Sequence, residues 1–410
     1  MRNPRDRRVE LDPLTLACHA GRSDLHTLGV HAPPLDLSTT YPLLDLEAAG
    51  ASLEALAAGE PCEGSPVYAR LFNPTVARFE EGLAELEGTA EAVAFGSGMA
   101  ALTACLLAAS RRGRHVVALR PLYGTSDHLL ASELLGLRVT WARPESIGAS
   151  MEPDTSLVVI ETPANPTLAL VDIRDIVRQA RGVPVLVDST FATPVLQRPA
   201  ELGATLVLHS ATKFLGGHGD AIAGVVATDS TWARELRHVR VLTGALLHPL
   251  AAYLLHRGLP TLPLRVERAQ QTATELARRL AGHPQVRRTL HPSLPGADPQ
   301  HLLGRQMAGP GALLSFEVHG GYEAALRLMR SLSVITPAVS LGATDSLIQH
   351  PASLTHRAVD PAVRRELEIS EGLLRLSVGL EGVEDLWRDL NAALWQSAEV
   401  TLPAAAAVAV

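Results

Sequence analysis

The chain has 410 residues, is 47% hydrophobic and 19% charged, and carries a formal net charge of −7. That length exceeds what one hydrophobic core supports and predicts two or three domains of ordinary soluble composition. The negative balance excludes the basic footprint of a nucleic-acid-binding protein, and no apolar run is long enough to span a bilayer or to form a secretory leader.

Residues 1–64 lack clear periodicity and are expected to form an N-terminal arm. It opens on a solvated Arg cluster (Arg2, Arg5, Arg7, Arg8) and holds one short helix near 46–58. Asn73-Pro74 is an N-cap followed by proline at the first helical position, so a helix starts there and stops at Gly88. Short apolar runs then recur at 92–95, 115–119, 138–141, 157–160, 183–187, 205–208 and 222–227. Helical stretches such as 100–109 separate them. Strands alternating with helices predict a mainly parallel sheet with helices on both faces, over residues 65–255. Such a sheet presents ligands beyond the carboxyl ends of its strands. After 255 the texture changes. A long helical stretch at 264–280, strands at 312–318 and 374–378 and a helix at 322–331 predict a smaller C-terminal α+β domain over 256–400. The Ala/Val-rich 401–410 is expected to be a disordered tail. Cys18, Cys62 and Cys105 have no metal-ligand spacing and no even disulfide framework, so a reducing cytoplasm is expected and no metal site.

One lysine occurs in the whole chain, Lys213, and every other Lys/Arg position is arginine. A GC-rich genome explains the bias and makes position 213 the one place where arginine could not serve. Arginine stays protonated, whereas a desolvated lysine loses its proton and forms Schiff bases with carbonyls. Lys213 is therefore expected to carry pyridoxal 5′-phosphate (PLP). It lies in the segment from His209 to His218, just after the 205–208 strand, and the hydroxyls of Ser210 and Thr212 beside it are able to bind phosphate oxygens. Gly216 and Gly217 permit a tight turn; a capped turn alone is the other reading of this segment.

Asp188 ends the 183–187 strand. It serves either as the N-cap of the next helix or as the carboxylate that holds the protonated pyridine nitrogen of PLP, which makes the ring an electron sink. Gly96-Ser97-Gly98-Met99 precedes a helix, whose N-terminal N–H groups form an anion site or simply a Gly-rich turn. Tyr123 follows a strand and offers a ring to stack on the cofactor, or an ordinary packing contact. Arg375 stands inside the apolar run 373–378, an expensive position unless the guanidinium meets an anion, either a substrate carboxylate or a structural salt bridge.

Taken together, several segments resemble the Cys/Met-metabolism PLP-dependent enzymes, the transsulfuration family of fold-type I. They are Tyr68-Ala-Arg-Leu-Phe-Asn-Pro-Thr75, Gly96-Ser-Gly-Met-Ala100, Tyr123-Gly124, Glu161-Thr-Pro-Ala-Asn-Pro166, Val187-Asp-Ser-Thr-Phe191, the run from His209 to Asp220, Ser340-Leu-Gly342, His350-Pro-Ala-Ser-Leu-Thr-His356 and Arg375-Leu-Ser-Val-Gly-Leu-Glu381. The resemblance runs from about Thr39 to Leu390. It implies that Lys213 is the Schiff-base lysine, with Tyr123 as the second catalytic residue and the group stacked on the ring. Asp188 would pair with the pyridine nitrogen and Asn165 with the ring hydroxyl. Gly98, Met99, Ser210 and Thr212 would hold the phosphate. Tyr68 and Arg70 would reach the phosphate of a neighbouring subunit, which implies a dimer, usually built into a homotetramer. Ser340 and Arg375 would bind the carboxylate of a small sulfur-containing amino acid.

Within the family, the segment around Val339-Ser340 and Gln349–His356 looks most like methionine γ-lyase, which implies γ-elimination of methionine or homocysteine to 2-oxobutanoate, ammonia and a thiol. An apolar Val339 suits an uncharged thioether tail. Two positions depart from that subgroup: Thr125 stands where Cys is typical, and Arg240-Val241 where Lys-Asp is typical. Cystathionine γ-lyase, cystathionine γ-synthase and homoserine-ester sulfhydrylase are the alternative activities. A catalytically silent binding protein of the same fold is disfavoured by the intact set of Lys213, Asp188 and Arg375.

Overall fold

A computed structural model describes residues 11–398; the Arg2–Arg8 cluster and the 401–410 tail lie outside the described residues. Seven strands form the larger sheet: β1 (Glu91–Phe95), β2 (His115–Leu119), β3 (Arg138–Ala142), β4 (Thr155–Glu161), β5 (Val185–Asp188), β6 (Leu206–His209) and β7 (Gly224–Thr228). Their order is β1-β7-β6-β5-β4-β2-β3. The pairs from β3 through β2, β4 and β5 to β6 are parallel, and β7 runs antiparallel to both β6 and β1.

The apolar runs of β4, β5 and β6 are continuous because both sheet faces are covered. Alternate residues of β4 enter different cores. Val158 and Ile160 join Phe79, Leu83 and Val187 on one side. Leu157 and Val159 join Phe95, Leu106 and Leu208 on the other. This is the two-residue period of a strand with helices on both faces.

Local signals set several element ends. Asn73 Oδ1 accepts from the backbone N–H groups of Thr75 and Val76, which starts the helix Pro74–Glu87, and Gly88 ends it at φ 70°. Two strand starts fall two residues later than the apolar runs suggest. Pro184 lacks an N–H to give the ladder, so β5 begins at Val185. Ile222 is exposed, and β7 begins at Gly224, where a Cβ would stand 2.2 Å from the carbonyl oxygen of Ser97.

The second sheet has the order β10-β11-β12-β9-β8. Its strands are β8 (Val286–Leu290), β9 (Leu313–Val318), β10 (Thr336–Pro337), β11 (Leu347–Gln349) and β12 (Leu373–Ser377). Leu314, Phe316, Leu374 and Leu376 pack with residues of the helices Leu262–Ala281, Gly321–Ser331 and Val383–Ala398 in one core. The β8 strand has no apolar run because two of the five residues of its sequence, Val-Arg-Arg-Thr-Leu, are charged. Its arginines Arg287 and Arg288 pair with Glu317 on β9 at 3.1 and 2.7 Å, as suits an edge strand. One helix ties the two halves together. Leu262, Val266 and Ala269 lie in the core beside the large sheet, and Ala273, Leu276 and Leu280 in the core of the small one.

Candidate active site

The site lies beyond the carboxyl ends of β4, β5 and β6, which finish on Glu161, Asp188 and His209. Parallel pairing sets Glu161 opposite Asp188. Lys213 follows β6 in a tight turn, in which its N–H bonds the carbonyl of Ser210 and its carbonyl accepts from Gly217. Gly217 has φ +73°, and a Cβ there would overlap the guanidinium of Arg265 at 2.0 Å. That buried guanidinium donates to the carbonyls of Phe214 and Gly258 at 2.7 and 2.9 Å, so it braces the lysine turn from below.

The Lys213 ammonium nitrogen lies 2.8 Å from Ser340 Oγ. Burial, reinforced by the positive charge of Arg375, lowers its pKa to about 8. Ser340 holds a left-handed backbone, φ 91°, a strained state for a residue with a Cβ. Two residues on, the N–H of Gly342 donates to Ser377 Oγ at 2.8 Å. A Cβ at Gly342 would stand 2.6 Å from the backbone nitrogen of Phe214, so this loop runs against the lysine turn with no room for a side chain.

Arg375, in mid-strand on β12, is among the largest fully buried side chains of the described residues. It donates to Asn165 Oδ1 at 2.9 Å and to the carbonyl of Ser340 at 2.8 Å, and its Nε has no partner. Burial lowers its pKa to about 10, against the pull of Glu161. Because the guanidinium can only donate, it fixes the amide of Asn165 with the oxygen inward and Nδ2 left to donate elsewhere. The backbone of Asn165 is held as well: its N–H donates to Glu161 Oε1 at 2.9 Å, and its carbonyl accepts from His356 Nε2 at 3.2 Å.

Asp188 accepts both the N–H and the hydroxyl of Thr190 on a single oxygen, Oδ1. The N–H of Ser210 donates to that same hydroxyl oxygen at 2.9 Å, which links the Asp188 strand to the lysine turn. Burial raises the pKa of Asp188, and the Thr190 bonds oppose the rise. A cation facing its other oxygen would oppose it further. Glu161 is raised more strongly, first by burial and then by the charge of Asp188.

Gly98 opens the helix Gly98–Ala109, capped by the Ser97 hydroxyl on the N–H of Ala100. A Cβ at Gly98 would lie 3.2 Å from Ser210 Oγ, so the bare backbone leaves a cradle between the helix start and that hydroxyl. The Thr212 hydroxyl donates to the carbonyl of Ala223 and accepts from its N–H. Met99 lies in the first turn of the same helix, with its sulfur 3.7 Å from the Ser126 hydroxyl. Tyr123 directly precedes the helix Gly124–Ala131, and its side chain is exposed.

These groups fit PLP. They supply an amine, a carboxylate with an uncommitted oxygen, an amide donor, and an anion cradle at a helix start. The unpartnered Nε of the buried Arg375 marks where a further anion is wanted. The structure joins Lys213, Ser340, Arg375 and Asn165 by direct hydrogen bonds, and Asp188 with Ser210 through Thr190. It does not bring Tyr68 or Arg70 into this network. Tyr68 is exposed, and Arg70 donates to the carbonyl of Val241 at 2.9 Å. Three site residues carried no role in the sequence reading. Glu161 shared the strand-exit signal of Asp188. His356, pushed to about 4 by burial and therefore neutral, lay in a recognised segment. Arg265 gave no signal, since its neighbours make an ordinary amphipathic helix face.

The chain matches the family described as Cys/Met metabolism PLP-dependent enzyme over residues 14–395. It is 56% identical over 387 residues to the L-methionine gamma-lyase of Brevibacterium sandarakinum, a match covering 94% of this chain and 98% of that one. It is 58% identical over 382 residues to the L-methionine gamma-lyase of Streptomyces avermitilis, covering 93% and 88%. Its structure is similar to that of cystathionine gamma synthase from Xanthomonas oryzae pv. oryzae, with a TM-score of 0.86 and 36% identity over 94% of this chain and 98% of that one.

Proposed function

The chain belongs to the Cys/Met metabolism PLP-dependent enzymes, and on that premise we propose that it carries out γ-elimination on L-methionine and on homocysteine. It is a PLP-dependent carbon–sulfur lyase of sulfur amino acid metabolism, and water enters as substrate yields 2-oxobutanoate, ammonia and a thiol. The observation that carries the choice of methionine is the 56–58% identity to two L-methionine gamma-lyases, against 36% to the cystathionine gamma synthase. Val339, exposed beside Ser340, supports the same choice, because an apolar side chain suits a thioether tail better than a distal ammonium.

PLP, when bound, supplies an electron sink for negative charge that develops on the carbons of an amino acid. Arg375 takes the α-carboxylate, with the Ser340 backbone holding the guanidinium in place. Lys213 Nζ accepts the proton from Cα and returns protons along the carbon chain, and Ser340 Oγ orients that nitrogen. Asp188 would keep the pyridine nitrogen protonated, Asn165 Nδ2 would donate to the ring hydroxyl, and the Tyr123 ring would stack on the cofactor. The Tyr123 phenol gives its proton to the departing sulfur. The N–H groups of Gly98 and Met99 would hold the phosphate together with the hydroxyls of Ser210 and Thr212.

Among the described residues no helix is long and apolar enough to cross a membrane. The unpaired thiols of Cys18, Cys62 and Cys105 support a cytoplasmic enzyme. The exposed Tyr68 and the outlying Arg70 support a dimer in which each subunit serves its neighbour's phosphate, doubled into a tetramer.

Incubating the PLP-loaded enzyme separately with methionine, cystathionine and O-acetylhomoserine tests the assignment. Release of 2-oxobutanoate and methanethiol from methionine is expected to be the fastest. Methionine left intact while cystathionine is consumed would replace the reading with the cystathionine γ-lyase alternative.

A further inference from the structure

We propose that Glu161 is a positioning residue that sets the spacing of the two groups flanking the cofactor ring, a role that rests on the PLP reading of this site. Glu161 is the last residue of β4 and is buried. Its two oxygens are divided between two chain segments. Oε2 accepts the backbone N–H of Tyr123 at 2.6 Å, and Oε1 accepts the backbone N–H of Asn165 at 2.9 Å. Tyr123 arrives from the loop after β2, and Asn165 from the loop after β4, 42 residues later. Only this planar carboxylate joins them directly among the hydrogen bonds of the site.

The carboxylate stands where it is costly. Asp188 faces it from the neighbouring strand, so two acids share one buried strand end. Arg375 is the nearby cation and itself bonds Asn165 Oδ1. Two backbone N–H groups at a loop need only neutral acceptors, and water or an amide oxygen would serve each of them singly. A carboxylate fork adds a fixed distance and angle between both, and the two N–H bonds with the charge of Arg375 oppose the rise in its pKa. Glu161 thereby links the ring-holding half of the site, Tyr123 and Asn165, to the carboxylate-holding half, Arg375. His356 closes the arrangement from the other side, bridging the carbonyls of Leu122 and Asn165 at 3.2 Å each.

Two variants separate geometry from charge. Glu161→Gln keeps the shape but turns one acceptor into a donor, so one of the two N–H bonds is lost. Glu161→Asp keeps the charge but withdraws the carboxylate by one methylene, too short to reach both amides. The readouts are the visible circular dichroism per mole of bound cofactor, the PLP dissociation constant, and kcat and KM for methionine. Both variants are expected to bind PLP and to show a visible dichroic band changed at least about twofold, with kcat lowered about tenfold or more, because the groups around the ring shift. If Glu161→Gln fails to fold, Glu161→Asp alone decides. An Asp variant with the parent band and the parent kcat would mean that charge alone matters, and would overturn the bridging role. Parental values in the Gln variant would overturn it equally. A parent enzyme that stays colourless with PLP fails at the earlier step, the cofactor reading itself.

Discussion

The two sheets contribute to the site in opposite ways. The large sheet offers Glu161, Asp188 and the Lys213 turn at strand exits, where the backbone ladder has ended and free N–H groups are at hand. The small sheet offers Arg375 from the middle of β12, between Leu374 and Leu376, with its backbone already paired to β9 and β11. A carboxylate at a strand exit finds donors in its own loops. A guanidinium in mid-strand does not, and Arg375 is satisfied by Asn165 from the large sheet and by the strained Ser340 loop. The buried charge of the small sheet is thus solvated in part by the large one, and neither half holds a complete site alone.

The sharpest way to break this contrast is at the strand-exit amine. Lys213→Arg keeps a cation but removes the nucleophile, and 2-oxobutanoate release should fall by about 10⁴-fold or more. Activity within tenfold of the parent would show that the exit group is not reactive. Asp188→Asn removes the charge that favours a protonated ring nitrogen, and kcat should drop about 10²- to 10³-fold with PLP still bound. Steady-state kinetics on the coloured variant checks it. For the mid-strand cation, Arg375→Lys replaces a planar fork by a point charge, so kcat/KM for methionine should fall about 100-fold, chiefly through KM. A change confined to kcat would mean that Arg375 does not hold the substrate carboxylate.

A smaller effect is expected from pH. Burial lowers the pKa of Lys213 to about 8, and only its neutral form attacks the cofactor aldehyde. Reloading of apoenzyme with PLP should therefore accelerate as pH rises toward about 8 and level off above it, as stopped-flow absorbance would show. A rate independent of pH between about 6.5 and 9 contradicts the burial argument. The smallest change concerns the loop between β10 and β11. Ser340→Gly relieves the positive φ and removes the hydroxyl on Lys213. Thermal unfolding should show stability within about 1 kcal/mol of the parent, while kcat falls about fivefold.

Much of the large sheet is legible in the chain itself, because its central strands are short apolar runs bounded by turn residues. The small sheet is less so. β8 hides its strand character behind Arg287 and Arg288, and β10 and β11 are too short to carry a period. Within the site, Lys213 stands out as the only lysine, and Asp188 and Arg375 stand out as charges at apolar strands. Glu161 has the same signature as Asp188, yet its task depends on two amides from other loops, which no local pattern reveals. Likewise no local pattern reveals that the Thr212 hydroxyl bonds Ala223 across the turn.

By itself, the order of residues determined the helix caps, the buried strands and the one amine able to leave its proton, because each follows from short-range sterics, hydration or the chemistry of a single side chain. Tertiary structure alone decided that Lys213 meets Ser340 across 127 residues and that Asn165 meets Arg375 across 210. It also decided that Arg265 braces the lysine turn. Those meetings depend on how two cores dock along one shared helix, and the energy that selects them is the satisfaction of buried charges by partners distant in sequence.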